Sequence, residues 1–300
     1  MSASPAARRR LAYLLFALAP AMWSANMLVA RWSAEWFPPH QLALWRWLLA
    51  AVPMFALSGA ALWRARDALR REWRDLAVLG FLGMYVCGAF VYIGAATTTA
   101  TNIGLIYAGS PALMIVIAGV AYRERLSRLQ ALGVVVALVG VLAIVTRGDP
   151  GVLARLSFAV GDLWILCSAA SWAAYSLLLR HRPTALDPAA RLLAITLAGV
   201  VILAPFALVE AVASGTPPLE WRTLAAVVVV GLLPGFGAYR AYSWLLREIG
   251  TARTGLLLYV IPLYTAVLAW LLLGEEIRWY HALGAALVLA GVYLANRRAA

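Results

Sequence analysis

Residues 104–141 read GLIYAGSPALMIVIAGVAYRERLSRLQALGVVVALVGV, and residues 255–292 read GLLLYVIPLYTAVLAWLLLGEEIRWYHALGAALVLAGV. Laid over each other at an offset of 151, without a gap, the two agree at 12 of 38 positions. A chain this rich in Ala and Leu should agree with itself at roughly four such positions by composition. The matches include Gly104/Gly255, Leu105/Leu256, Pro111/Pro262, Glu124/Glu275, Ala131/Ala282, Leu132/Leu283, Gly133/Gly284, Gly140/Gly291 and Val141/Val292. Matched Gly, Pro and Glu carry more weight than matched Leu, because they are harder to obtain by chance. One structural unit therefore occurs twice in this chain.

The solvent of that unit follows from composition. Of 300 residues, 64% are hydrophobic and 13% charged, and the mean hydropathy is +0.84. Apolar runs of about twenty residues, long enough for a ~30 Å hydrocarbon core, recur near 11–31, 40–62, 75–96, 99–121, 129–146, 160–179, 189–212, 221–245, 253–273 and 279–296. Only helices satisfy their own backbone within lipid at such lengths. The expectation is an all-α polytopic bundle of ten transmembrane helices. Arg8–Arg10 followed by Leu11–Ala19 resemble the start of a secretory signal, but the apolar run continues to Ala30, so an uncleaved first helix is expected.

A net charge of +12 would suit a nucleic-acid binder. Here all 25 basic residues are Arg and they sort by loop. With the N-terminus inside, 18 fall in the tail and in the loops on the same side, five (Arg31, Arg147, Arg155, Arg222, Arg278) fall opposite, and Arg46 and Arg240 lie within spans. That bias predicts both termini in the cytoplasm and no nucleic-acid partner. Cys87 and Cys167 lie in predicted helices and read as free buried thiols, with a disulfide between them the alternative. His40, His181 and His281 sit singly near span ends, so no metal spacing and no cofactor motif is present.

The repeat extends to the whole chain. Leu14, Ala21, Trp23, Leu28 and Arg31 recur at offset 149 as Leu163, Ala170, Trp172, Leu177 and Arg180; Gly83 recurs at offset 148 as Gly231. Residues 1–150 and 151–300 are thus two five-helix repeats joined at Gly148-Asp149-Pro150-Gly151, a turn-rich link. An odd number of crossings inverts the second copy. Inverted repeats in a membrane predict a secondary transporter whose substrate sits near the midplane.

These residues resemble the EamA-type branch of the drug/metabolite transporter superfamily. The resemblance rests on Ile106–Pro111, Arg123-Glu124-Arg125 and Ala131–Val141 in one half, and on Leu258–Pro262, Gly274-Glu275-Glu276 and Ala282–Val292 in the other. It covers nearly the whole chain. It implies ten helices in two inverted five-helix repeats and export of a small solute, with a substrate class that varies across the branch.

Pro111 and Pro262 lack the N–H that would bond the carbonyls of Tyr107 and Leu258. They read as static kinks or as hinges of alternating access, and their equivalent places in the two repeats raise the hinge reading level with the kink. Gly104, Ala108 and Ala112, and likewise Ala282, Ala286 and Ala290, form small-residue ridges expected to pack within the chain rather than between two copies. Glu124 and Glu275 are expected to anchor helix ends. Candidate substrate-binding residues are the polar and aromatic groups in mid-span: Trp23, Asn26, Tyr85, Tyr92, Asn102, Tyr107, Ser171, Trp172, Tyr175, Tyr239, Arg240, Tyr242, Tyr259 and Tyr264. Trp32, Trp36, Trp63, Trp73, Trp221 and Trp279 belong to interfacial belts. Arg240 either faces the cavity, where it would hold a carboxylate, or snorkels to the surface. Arg46, nearer a span end, is expected to snorkel.

Glu210, Glu124, Glu275 and Asp162 all fall near span ends, so no mid-membrane carboxylate relay is expected. The predicted function is export of small metabolites, by analogy amino acids and among them aromatic ones, across a bacterial inner membrane. A nucleotide-sugar or drug carrier on the same scaffold is the alternative. An intramembrane lipid-modifying enzyme is the remote one, since His, Asp and Glu do not cluster. The expected partners are a small-molecule solute and the lipid bilayer, in a monomer or homodimer.

Overall fold

The computed structural model describes residues 5–123, 127–149, 151, 159–249 and 257–296. These residues are helical, with no strand among them. The helical segments are α1 (Pro5–Ser33), α2 (Pro39–Arg64), α3 (Trp73–Gly94), α4 (Ala100–Ala121), α5 (Arg128–Val145), α6 (Val160–His181), α7 (Pro188–Ser214), α8 (221–249), α9 (Leu257–Leu273) and α10 (Trp279–Asn296). A single short helix, Arg66–Arg71, links α2 to α3. Eight helices have the length and hydropathy to cross a membrane, while Val260–Leu273 and Trp279–Ala295 are apolar but shorter. Helix bounds follow the apolar runs read from the sequence to within a few residues. Glu124, Arg125, Gly255 and Leu256 lie outside the described residues.

Local chemistry sets the helix ends. Ser127 and Gln130 form a reciprocal capping box at the start of α5. Thr99 caps α4 through Asn102 N, and Asp187 caps α7 ahead of Pro188. Glu275 reaches the start of α4 from the other half, accepting bonds from Ala100 N, Thr101 N and Thr101 Oγ1 at 2.7–3.0 Å. Glu210 does the same for α2 through Gln41 N at 2.9 Å, with His40 on its second oxygen. Each carboxylate meets the unpaired amides and the positive end of a helix.

The two α-helices carrying the quoted repeat, α5 and α10, make the most extensive contact in the bundle. Their glycines meet crosswise. A Cβ on Gly133 would lie 2.6 Å from the Gly291 carbonyl, and one on Gly291 2.6 Å from that of Gly133. Gly140 and Gly284 face each other in the same way, at 2.9 and 3.0 Å. Because Gly133 and Gly284 are repeat equivalents, as are Gly140 and Gly291, this is the pairing that a twofold axis produces. Rising numbers on α5 meet falling numbers on α10, so the two equivalent helices run antiparallel. The ridge on α10 differs from expectation: Ala282, Ala286 and Ala290 are exposed, and the buried face is Gly284, Val288 and Gly291. Glycine allows the closer approach, and the contact takes that face. On α4 the expected ridge of Gly104, Ala108 and Ala112 is buried.

A second symmetric feature has no obvious sequence signal. α3 contains a π-helical stretch, Phe81–Val86, and α8 contains one at Gly231–Gly237; Gly83 and Gly231 are repeat equivalents. A π turn displaces backbone carbonyls from the usual ladder. In α3 they are met from other helices: Ser171 Oγ donates to Leu82 O at 2.9 Å, Trp47 Nε1 to Met84 O at 3.0 Å, and Ser168 Oγ to Val86 O at 3.4 Å. In α8 the stretch holds Pro234, which has no N–H to give.

The outer surface is apolar, with Val120, Val201, Val212 and Phe55 exposed, as a lipid-facing surface requires. Trp63, Trp73, Trp221 and Trp279 stand exposed at helix ends, in keeping with interfacial placement. Both cysteines are free; Cys87 is buried, but Cys167 is exposed on α6, against the expectation that both thiols are buried. Its face of α6 is turned outward, where a small apolar thiol is tolerated.

Candidate functional site

Helices from both halves enclose a cavity of about 140 Å³. α1 supplies Trp23, Asn26 and Met27; α2 supplies Arg46 and Trp47. From α3 come Gly83, Cys87 and Val91, and from α4 Gly104, Tyr107, Ala108, Ser110, Pro111 and Met114. The second half adds Trp172, Tyr239, Ile261 and Pro262. Two repeat pairs, Trp23/Trp172 and Pro111/Pro262, line this one cavity, so it straddles the pseudo-twofold relation.

The aromatic walls are braced. Trp23 packs edge-on against Tyr239 and Tyr242, with centroids 6.3 and 5.6 Å apart. Trp47 lies 6.4 Å from Tyr239, and Trp172 stacks on Tyr175 at 5.4 Å. Tyr107 OH is 2.5 Å from Ser168 Oγ and 3.2 Å from Cys87 Sγ. Offset and edge-on aromatic pairs hold their rings in fixed orientations.

One charge faces this aromatic box. Arg46 is 6% exposed, and its guanidinium carbon lies 4.3 Å over the Trp47 ring. Its Nε has no hydrogen-bond partner, and no carboxylate pairs with it among the described residues. Tyr92, which donates to Asn26 Oδ1 at 2.8 Å, presents its oxygen to the guanidinium. Ser110 Oγ, at the same cavity, is buried and likewise unpartnered. Ser110 sits where α4 breaks: one helix ends at Ala108, Gly109 intervenes, and the next begins at Ser110 with Pro111 in its first turn. On α9, Pro262 instead lies inside a continuous helix.

Among the residues singled out from sequence, Trp23, Asn26, Tyr107, Trp172 and Tyr239 line the cavity, together with Pro111 and Pro262. Tyr92, Tyr175 and Tyr242 form its supporting layer through the contacts above. Ser171 is tied to the π turn of α3. Tyr85 points away, stacked on Phe206 at 4.5 Å. Asn102 belongs to a separate polar cluster with Asp162 and His281. Tyr264 is half-buried on α9, outside the cavity, and the side chain of Tyr259 lies outside the described residues. Arg240 is exposed and does not face the cavity.

Arg46, expected to snorkel, is the arginine that does face it. The signal was in its neighbours. Ala43, Trp47, Ala50 and Met54 share its buried face of α2, while Trp45, Val52 and Phe55 face outward. Small residues on the face of a charged one mark the side turned to protein rather than lipid. Among the described residues, no three His, Cys, Asp or Glu side chains gather as a metal site.

The EamA-like transporter family matches this chain twice, over residues 10–146 and 159–297. Each match covers one copy of the repeat. An uncharacterized transporter of Bacillus subtilis, YyaM, is 26% identical over 91% of this chain and 89% of its own length. A probable terminal-alkyne amino-acid exporter of Streptantibioticus cattleyicolor is 27% identical over 94% of this chain and 95% of its own. A crystal structure of a protein with 21% sequence identity superposes with a TM-score of 0.60, over 95% of this chain and 96% of the other, and shows a shared fold.

Proposed function

We propose that this chain, which belongs to the EamA-like transporter family, is an exporter of amino acids that carry an aromatic or other bulky apolar side chain. In this reading ten helices cross a bacterial inner membrane as two inverted five-helix repeats, at residues 1–150 and 151–300. The arginine bias supports a topology with both termini in the cytoplasm. The halves rock about the shared cavity, with Pro111 and Pro262 as hinges, to expose it to each side in turn.

Arg46 carries the proposal. A guanidinium buried among aromatic rings with no carboxylate partner is costly unless a ligand supplies the opposite charge. Its planar fork suits a carboxylate, which it can hold through two parallel bonds. The Ser110 hydroxyl, buried and unpartnered at the cavity, offers an acceptor for an ammonium group. Trp23, Trp47, Trp172 and Tyr239 then provide the apolar walls. A cavity of about 140 Å³ is below the ~300–1,000 Å³ typical of drug-sized ligands, which favours a single amino acid over a nucleotide sugar. The name of the Streptantibioticus relative points the same way.

Uptake of labelled L-phenylalanine into proteoliposomes tests the reading. The expected result is saturable flux, with competition by tryptophan and leucine, weak competition by phenethylamine (which lacks the carboxylate), and loss of flux in Arg46→Met. Folded protein that gives no saturable flux of any amino acid would overturn it, as would an Arg46→Met variant with unchanged KM and rate.

A further inference from the structure

The bundle's inter-helix carboxylates are mostly saturated, as Glu275 and Glu210 are at the starts of α4 and α2. Asp162 is not. It is the third residue of α6 and is 0% exposed. Its Oδ1 accepts bonds from the Thr98 hydroxyl and from Asn102 Nδ2. Its Oδ2 has no hydrogen-bond partner. An ionised carboxylate with an unmet oxygen and no ion pair does not rest easily in a dry seam between helices. A neutral carboxyl is less costly there: with the Thr98 hydroxyl reversed, Oδ1–H donates to Thr98 Oγ1 and still accepts from Asn102, and the groups left bare, the Oδ2 carbonyl and the Thr98 hydroxyl hydrogen, carry no charge.

The cluster continues in one direction. Asn102 Oδ1 lies 3.1 Å from His281 Nε2, and His281 Nδ1 accepts the Arg278 backbone N–H at 3.0 Å. That backbone donor fixes the tautomer of a neutral ring, with its proton on Nε2 toward Asn102. The order is then His281 to Asn102 to Asp162, crossing from the second half to the first and back. The seam it closes is tight. The Gly161 N–H donates to Thr97 Oγ1 at 2.8 Å, and a Cβ on Gly161 would lie 2.3 Å from the Gly94 carbonyl. The charged and titratable groups around it are Arg147 after α5, Glu275 and Arg278 ahead of α10, His281 on α10 and Arg31 at the end of α1. Arg31 is bonded to the Ala95 carbonyl at 3.0 Å. Among the described residues none of these forms an ion pair with Asp162.

We propose that Asp162 is a proton-binding latch of this seam. In the closed seam its carboxyl is neutral; when the halves part on this side, water reaches it and takes the proton, and the charged carboxylate holds the seam open. The site fits a proton and not a metal cation, because the Asn102 amide presents its hydrogens to Oδ1 and Thr97 Oγ1 is occupied by Gly161, which leaves too few oxygen ligands for a cation. This face lies opposite the N-terminus, so the proton is taken from and returned to the water on that one side, and acid there favours the closed seam. The effect on transport rests on the transport reading; the protonation of Asp162 does not.

Infrared difference spectra of the lipid-reconstituted protein, stepped between alkaline and acid pH, test the site without any solute. The expected result is a protonated-carboxyl stretch that appears with acid, shifts in Thr98→Val and is lost in Asp162→Asn. A sodium step at fixed pH should leave it unmoved. Identical spectra for wild type and Asp162→Asn would overturn the proton site, as would a response to sodium at fixed pH. In proteoliposomes, exchange of labelled for unlabelled L-phenylalanine is expected to slow as the pH falls in wild type and to be independent of pH over the same range in Asp162→Asn. Exchange in wild type at alkaline pH reports the transport reading by itself. Exchange in wild type that does not change with pH would overturn the latch alone.

Discussion

Substituting Gly133 by Ala adds one methyl group where the structure has no room for it. The new Cβ would lie 2.3 Å from Ala295 N and 2.6 Å from the Gly291 carbonyl, against about 3.4 Å for an ordinary contact. The deficit is about 1 Å, and it is met by backbone, which cannot rotate aside. α5 and α10 must therefore separate by roughly that distance at this crossing. A gap of 0.5–1 Å forfeits about a quarter to a half of each dispersion contact it opens. The overpacking cost is of order 1–3 kcal/mol, while the helix preference of Ala over Gly returns about 1 kcal/mol. The clash wins by a modest margin, and leucine at the same position should exceed it. Gly291→Ala meets the same 2.3 Å approach, to Ala137 N. Since either change already spreads the helices, the double variant should lose about as much as the worse single one rather than the sum. Leu132→Ala, on the exposed face of α5, should change stability by less than about 0.5 kcal/mol. Thermal unfolding in detergent reads all five. A Gly133→Ala variant more stable than wild type would refute the close-contact account, as would fully additive losses in the pair.

At the cavity, Arg46→Lys keeps the charge but loses the fork, and should weaken phenylalanine affinity about tenfold. Arg46→Met should cost about 1.5–3 kcal/mol, roughly 10- to 150-fold in Kd, measured by competition in proteoliposomes. Trp47→Phe removes the donor to the Met84 carbonyl and should destabilise by about 1–3 kcal/mol; an unchanged unfolding midpoint would mean that water takes over that carbonyl. Glu275→Gln should cost about 1–2 kcal/mol, because the start of α4 loses an anionic cap. Cys167→Leu should be neutral, whereas Cys87→Leu, pressed against Tyr107 at 3.2 Å, should lower the midpoint by an amount set by overpacking, about 1–3 kcal/mol.

Helix positions were legible in the sequence because hydrocarbon thickness leaves little freedom in the length of an apolar run. The glycines of the repeat were legible because close backbone contact admits few other residues. Rotation of each helix about its axis was harder to read. Arg46 and Arg240 both lie within spans, yet one faces the cavity and the other is exposed. The small neighbours of Arg46 carried that information, but it takes the whole face of α2 to use it. The π stretches in α3 and α8 were not legible: their displaced carbonyls are satisfied by Trp47, Ser168 and Ser171 from other helices, a tertiary condition that no local pattern states. The burial of Asp162 is of the same kind. Its place near a span end was plain, but its seclusion comes from Gly94, Thr98 and Gly161 closing around it.

The crosswise contact of α5 with α10 has a consequence for descent. Gly133 meets the counterpart of Gly140, and Gly140 meets the counterpart of Gly133. That surface would therefore fit a second copy of itself turned end over end. An ancestor half as long, inserted in the bilayer in both orientations, could pair through this same face with no new chemistry. Fusion of two such copies would fix one orientation for each and free them to diverge. Arg46 and Asp162 then mark that divergence, since the aligned positions are Ala194 or Ile195 for the first and Tyr13 for the second.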